Sequence, residues 1–238
     1  MAERMPKQIL GKWGWLRWLA VYIGSYLGGP FLAGTLYGIL DMIFPALSEA
    51  AAAELFYFAG AMLLQAGLVF LLVKLLILDP QNAGWETVGF QRPRKGAVLF
   101  YGIGGGLVMF AGILALSSLV AFFQPTIEPQ YFQTLVEDSS NGVQIFFLLL
   151  SGSILAPMME EVLFRGLLYT GLKERIGVWP AILVAGMIFG AVHLDIWRFL
   201  PLAFGGAALC WTYQKTGNIW INMIAHGLWN GIMTFLSL

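Results

Sequence analysis

The chain has 238 residues, of which 59% are hydrophobic and only 11% charged, and its mean hydropathy is +0.77. That balance excludes an ordinary soluble domain and identifies a polytopic membrane protein, while the net charge of zero argues against a nucleic-acid partner. The single cysteine, Cys210, excludes an internal disulfide and any cysteine-based zinc site.

At roughly 20 residues per span with short connections, this length predicts an all-α bundle of about seven transmembrane helices forming one integral-membrane domain. The chain begins with Arg4, Lys7, Lys12 and Arg17, and Trp13, Trp15 and Trp18 read as interface anchors. The first apolar run, about residues 15 to 40, is a full span and not the short core of a cleavable signal peptide. Its Gly24/Gly28 and Gly34/Gly38 pairs have the spacing of close helix packing. The connection 41–54 carries acids and no Lys or Arg, so it is expected outside. A second span, about 55 to 78, leads to the basic group Arg92, Arg94 and Lys95, which is expected in the cytoplasm. The third, about 97 to 123, opens with Gly102, Gly104, Gly105 and Gly106; Leu107 occupies the last glycine position of a dinucleotide loop, so the run reads as packing. In the segment 124–141, again without bases, Tyr131, Phe132, Leu135 and Val136 share one helical face. They predict a short helix on the outer surface.

The fourth span, from Val143 to about Tyr169, contains Glu160, Glu161 and Arg165 inside an apolar run. A charge at membrane depth costs a few kcal/mol, so each needs a partner or a task. Glu161 and Arg165 are four apart with the acid first, the favourable order for an intrahelical ion pair, which assigns them a structural role. Glu160 points about 100° away, leaving its carboxylate free to face other helices as a general base. Pro157, just before, cannot donate to Ser153 and is expected to kink the helix or restart it. The remaining spans are about 179 to 194, ending in Phe189-Gly190-Ala191-Val192-His193; about 199 to 214; and about 218 to 237, containing His226 and Asn230. His226 and Asn230 are four apart and share a face. Both histidines of the chain are thus placed in membrane spans. Counting 1.5 Å per residue puts Glu160 and His226 at similar depths, roughly 13 and 12 Å from the inner ends of their helices.

Glu160-Glu161-x-x-x-Arg165, then Phe189-x-x-x-His193, then His226-x-x-x-Asn230, in this order, resemble the CPBP family of intramembrane proteases, which includes CAAX prenyl endopeptidases and bacterial abortive-infection (Abi) proteins. The resemblance covers roughly the last 90 residues and places the catalytic motifs in 143–238. It implies that Glu160 and His193 activate water while His226 and Asn230 stabilise the oxyanion, in a bacterial plasma-membrane protein. Glu160, His193 and His226 are also a donor set for zinc with an open position for water, and the resemblance leaves both options open; no cofactor is favoured, since Asn230 is a poor zinc ligand and suits an oxyanion hole. Rival proteolytic chemistries lack their motifs: there is no Gly-x-Ser-x-Gly, no His-Glu-x-x-His and no Gly-x-Gly-Asp. A proton-coupled transporter also buries Glu, His and Arg, but no matching pair of interrupted segments occurs in the two halves. A non-catalytic membrane scaffold of the same fold is the other alternative.

The basic clusters place the N-terminus in the cytoplasm and the C-terminus outside. On this reading the partners are membrane lipid and a peptide or protein substrate, prenylated or a precursor, that arrives from the bilayer or the cytoplasmic side. Oligomeric state is left open, because small-residue motifs pack helices within a chain as readily as between chains.

Overall fold

The computed structural model describes residues 14–44 and 53–238. Arg4, Lys7, Lys12, Trp13 and most of the 41–54 connection therefore lie outside the described residues. Helices α1 (Gly14–Ile43), α2 (Ala53–Gln81), α3 (Lys95–Phe123), α5 (Gly142–Ile176), α6 (Val178–Ala191), α7 (Ile196–Thr216) and α8 (Ile219–Leu236) make the bundle, and the short α4 (Tyr131–Glu137) lies across one end. Among the described residues, α1, α2, α3 and α5 are long and apolar enough to cross a membrane. The protein is an all-α integral membrane protein.

Local chemistry explains where the helices begin and end. Asn141, Asp195 and Asn218 cap α5, α7 and α8 by accepting from the first free backbone N–H groups, a contribution of about 1 kcal/mol each. The turns from α5 to α6 and from α7 to α8 pass through Gly177 at φ 82° and Gly217 at φ 59°, a left-handed backbone that a side chain would strain. Because the connections are short, sequential helices run antiparallel and the charges separate by end. Arg17, Arg92, Arg94, Lys95, Lys173, Arg175 and Lys215 gather at one end, with Asp79, Glu86 and Glu174 among them; Glu54, Glu128, Glu137, Asp138 and Asp195 gather at the other. Arg198, also at the acidic end, is held by Asp195 one helical turn before it.

Helix α5 is the axis of the fold. Every residue from Glu161 to Gly171 is buried, packed by Trp18 and Val21 of α1, Val69 and Val73 of α2, Ala185 of α6 and Tyr213 of α7. Small residues bring the backbones together where apolar tails cannot drive association. A Cβ on Gly186 would lie 2.7 Å from the Ala203 carbonyl, and one on Gly106 2.9 Å from that of Ala225. The pairing of α1 with α2 differs from the spacing-based expectation. Contact is closest at Gly29, against the backbone of Gln65, and Gly28, against Leu68, whereas Gly38 meets nothing and Gly34 meets only the Tyr57 ring at 3.8 Å. Spacing marks a smooth face but not its depth along the partner.

Pro157 neither breaks nor restarts α5. The helix continues through it, with widened, π-type backbone at Ser151–Leu155 before it and at Glu161–Tyr169 after it. The missing proline N–H leaves the Ser153 carbonyl unpaired within the helix, and Gly227 of α8 sits against that carbonyl, where a Cβ would come within 2.3 Å of the oxygen. We predict that Gly227→Ala lowers stability by about 1 to 3 kcal/mol, the usual cost of overpacking, while Gly38→Ala does not. Thermal unfolding of both variants in detergent checks this, and equal midpoints would refute the contact.

Candidate active site

The carboxylates of Glu160 and Glu161 diverge as helix geometry requires. Glu161 is completely buried and lies 3.0 Å from the Arg165 guanidinium, itself completely buried. Arg165 also donates to the Gly206 carbonyl at 3.2 Å and lies over the face of Phe189, 4.6 Å from its centroid. The phenylalanine of the Phe189-x-x-x-His193 motif is therefore the aromatic surface on which the buried cation rests.

Glu161 has a second task beyond the ion pair. Its Oε1 accepts from Nδ1 of His226 at 2.7 Å, and its Oε2 accepts from Asn222 at 3.0 Å. An ionised carboxylate only accepts, so the Nδ1 atom carries the proton and Nε2 is turned to the cavity. Trp229 stacks on the His226 ring and Phe189 meets it edge-on, which fixes the ring plane. Nε2 then lies 3.8 Å from Oε2 of Glu160. This is too long for a direct hydrogen bond and suits one water molecule bonded to both at about 2.8 Å. Among the described residues Glu160 makes no hydrogen bond to another protein group, and its side chain is 15% exposed.

His193 lies just past the end of α6, in the turn to α7, and not within the helix as the sequence implied. The last helical residue is Ala191, and Leu194 takes a left-handed backbone, φ 54°, that helical geometry cannot continue through. A leucine in that region costs on the order of 1 kcal/mol or more. Nδ1 of His193 donates to the Phe189 carbonyl at 2.7 Å, which again presents Nε2 to the cavity. Asn230 uses one amide N–H on the Gly152 carbonyl at 2.8 Å and keeps the other. The carbonyl comes from the widened turn of α5.

Glu160, His193, His226 and Asn230 all line one cavity of about 380 Å³. Glu160 and His226 form its floor. The other walls come from the halves of the helices nearest α4, including Phe58, Met62, Ile113, Phe132, Trp229 and Met233. The cavity thus runs toward the acidic end, opposite to the cytoplasmic-side access expected from sequence. Counted at 1.5 Å per residue along α5, which continues to Ile176, Glu160 lies about 24 Å from the basic end and about 27 Å from the other, so it sits near mid-helix and the side of access follows from which helix halves line the cavity. The segment before and along α4 covers this mouth. Arg198 donates to the Glu128 carbonyl at 2.9 Å, and Tyr131 donates to Glu54 at 2.9 Å. Asp195, in the turn beside His193, is pushed up by burial, but its hydrogen bonds from Arg198 and its charge more than offset this and hold its carboxyl below the ordinary value.

Glu160, His193 and His226 supply the donor types zinc takes, but among the described residues no three His, Cys, Asp or Glu side chains surround a common point as a metal site requires. No step is derived through a metal here. Sequence reasoning missed Asn222, although Asn222, His226 and Asn230 repeat every four residues along one face of α8. It also read Glu161 as serving Arg165 alone.

Removing one partner of a buried ion pair strands the other. Arg165→Met is predicted to lower stability by about 3 to 5 kcal/mol, whereas Glu160→Gln, at a carboxylate that makes no hydrogen bond to protein among the described residues, leaves it within about 0.5 kcal/mol. Denaturant or thermal unfolding in detergent measures both, and similar losses would contradict the division of labour.

Residues 142–232 match the family described as Type II CAAX prenyl endopeptidase Rce1-like. Over 91 residues the chain is 30% identical to the "Putative membrane peptidase YdiL" of Bacillus subtilis strain 168, covering 38% of this chain and 37% of that one. Over 97 residues it is 29% identical to an uncharacterized protein of Mycoplasma capricolum, covering 39% of this chain and 27% of that one. The chain therefore spans about a third of the length of these curated relatives, 37% and 27%. No solved structure matches significantly. All six charged, histidine and asparagine positions of the three motifs fall inside the matched region, and the match and the Bacillus relative support a member of the CPBP family of CAAX-type membrane proteases.

Proposed function

We propose that the protein is an intramembrane endopeptidase that hydrolyses a peptide bond of a membrane-associated or precursor peptide, prenylated or not, with water activated by Glu160. The carrying observation is the Glu160 carboxylate, which makes no hydrogen bond to protein among the described residues and lies 3.8 Å from the Nε2 of a histidine whose other nitrogen is held by a buried acid. Glu160 takes a proton from water, and His193, with its Nδ1 proton committed to a carbonyl, offers Nε2 as a second acceptor for the same water. The hydroxide adds to the scissile carbonyl. His226 takes a second proton from solvent at Nε2 before the step and donates from it to the oxyanion, with Glu161 balancing the ring charge; the ring keeps both protons throughout. The free N–H of Asn230 is the second donor. The proton on Glu160 passes to the leaving amine, which restores the carboxylate. No side-chain nucleophile takes part.

The walls support this reading for apolar substrates. Phe58, Met62, Ile113, Phe132, Trp229 and Met233 offer surface to apolar side chains beside the scissile bond. With the basic end in the cytoplasm, the cavity approaches the outer face, and we infer that the substrate segment reaches the site from the bilayer or from that face.

The test is cleavage of an apolar peptide by the purified protein in detergent. Glu160→Gln is expected to reduce kcat by about 10² to 10⁴ and Asn230→Ala by about 10² to 10³, with both variants folded. Direct activation by Glu160 further predicts that activity survives strong chelators and that elemental analysis finds far less than one zinc per chain. Full activity in Glu160→Gln overturns the assignment; stoichiometric zinc whose removal abolishes activity and whose return restores it replaces the direct mechanism with a metal-based one.

A further inference from the structure

Asn222 is completely buried on α8, one turn before His226, and has no place in the chemistry above. Its amide nitrogen makes two hydrogen bonds, to Oε2 of Glu161 at 3.0 Å and to the Leu209 carbonyl of α7 at 2.8 Å. The two oxygens of Glu161 are thereby given different work. Oε2 belongs to Asn222, while Oε1 is shared by His226 at 2.7 Å and Arg165 at 3.0 Å. This is not the arrangement a carboxylate and a guanidinium reach when left to themselves. An arginine fork favours two parallel hydrogen bonds to both oxygens, and here only one guanidinium nitrogen meets Glu161 while another goes to the Gly206 carbonyl. A carboxylate rotated to satisfy the fork would withdraw from His226.

We propose that Asn222 is a positioning residue: by holding Oε2 it stops Glu161 from pairing both oxygens with Arg165, and so keeps Oε1 on Nδ1 of His226 and Nε2 aimed at the substrate. The inference rests on the proteolytic reading for its kinetic consequence but not for its structural one. Leu209 anchors the amide from the neighbouring helix, so the register of α7 against α8 sets the aim of the catalytic ring. In the absence of Asn222 Glu161 draws away from Nδ1, so the neutral ring is free to carry its proton on either nitrogen and loses the counter-charge that supports the doubly protonated form able to donate to the oxyanion.

Two variants test this. Asn222→Asp keeps the shape and removes the donors, and Asn222→Leu removes them without adding a charge beside Glu161. The chain has two histidines, so nitrogen NMR of histidine-labelled protein resolves both rings, with His193→Gln identifying which signals belong to His226. Wild-type protein is expected to show His226 with its proton on Nδ1, and whichever variant folds is expected to show a substantial share on Nε2. In the peptide assay that variant loses about tenfold or more in kcat with KM within about twofold, the signature of a misaimed transition-state group. Unchanged His226 signals overturn the proposal, as does a kcat loss no larger than that of Gly227→Ala adjusted to equal stability. If wild-type protein cleaves nothing, the proteolytic reading fails, and the tautomer measurement still decides the role of Asn222.

Discussion

A carboxylate buried without water has to be surrounded by donors, and Glu161 is the point from which the rest of this bundle is arranged. One cation and two hydrogen-bond donors from two helices converge on it: Arg165, in ion-pair contact, from its own α5, and Asn222 and His226, which donate, from α8. Leaving any of these polar groups unpaired in the interior costs free energy on the scale of the protein's whole stability. The network therefore fixes the rotation of α8 against α5, and through Leu209 and Gly206 it draws in α7 as well. Phe189 of α6 completes the enclosure by lying under the arginine and beside both histidines.

Function follows from where this network ends. Satisfying Glu161 consumes Nδ1 of His226, and satisfying the carbonyls of Phe189 and Gly152 consumes Nδ1 of His193 and one N–H of Asn230. Each catalytic candidate is left with one polar atom uncommitted, and in each case that side chain lines the same cavity. Glu160 is the exception, being the one member of the group with no hydrogen bond to protein among the described residues, which is what the proposed role of base requires. Structural side chains absorb the polar demands of the interior, so the reacting groups stay available. The glycines serve the same end by letting α8 approach the proline-interrupted turn of α5 closely enough for Asn230 to reach the Gly152 carbonyl.

Much of this was legible in the residues. Apolar runs gave the seven long helices to within about three residues at their ends, the end of α5 excepted, and one shared face gave the existence of the short α4, because membrane helices declare themselves by composition and length. The divergence of Glu160 from Glu161 follows from helix geometry alone, as does the shared face of His226 and Asn230. Two things were hidden for physical reasons. Helix α5 does not stop where its apolar run weakens near Tyr169, because Thr170 and Gly171 remain buried and the helix continues to Ile176, so Glu160 sits near mid-helix and deeper than the apolar run alone suggests. The contact between Glu161 and His226 joins residues 65 apart, and no local periodicity reports a pairing that depends on how two helices are rotated about their axes.

The most direct measurement of the account is the appearance of new peptide termini in membranes of cells that produce the protein, compared with cells that produce Glu160→Gln. The account predicts new termini that depend on Glu160 and fall in or beside apolar segments, on the side of the membrane opposite the protein's basic end. Identical termini in the two samples would contradict a Glu160-dependent peptidase, and Glu160-dependent cuts confined to the basic side would contradict the placement of the cavity.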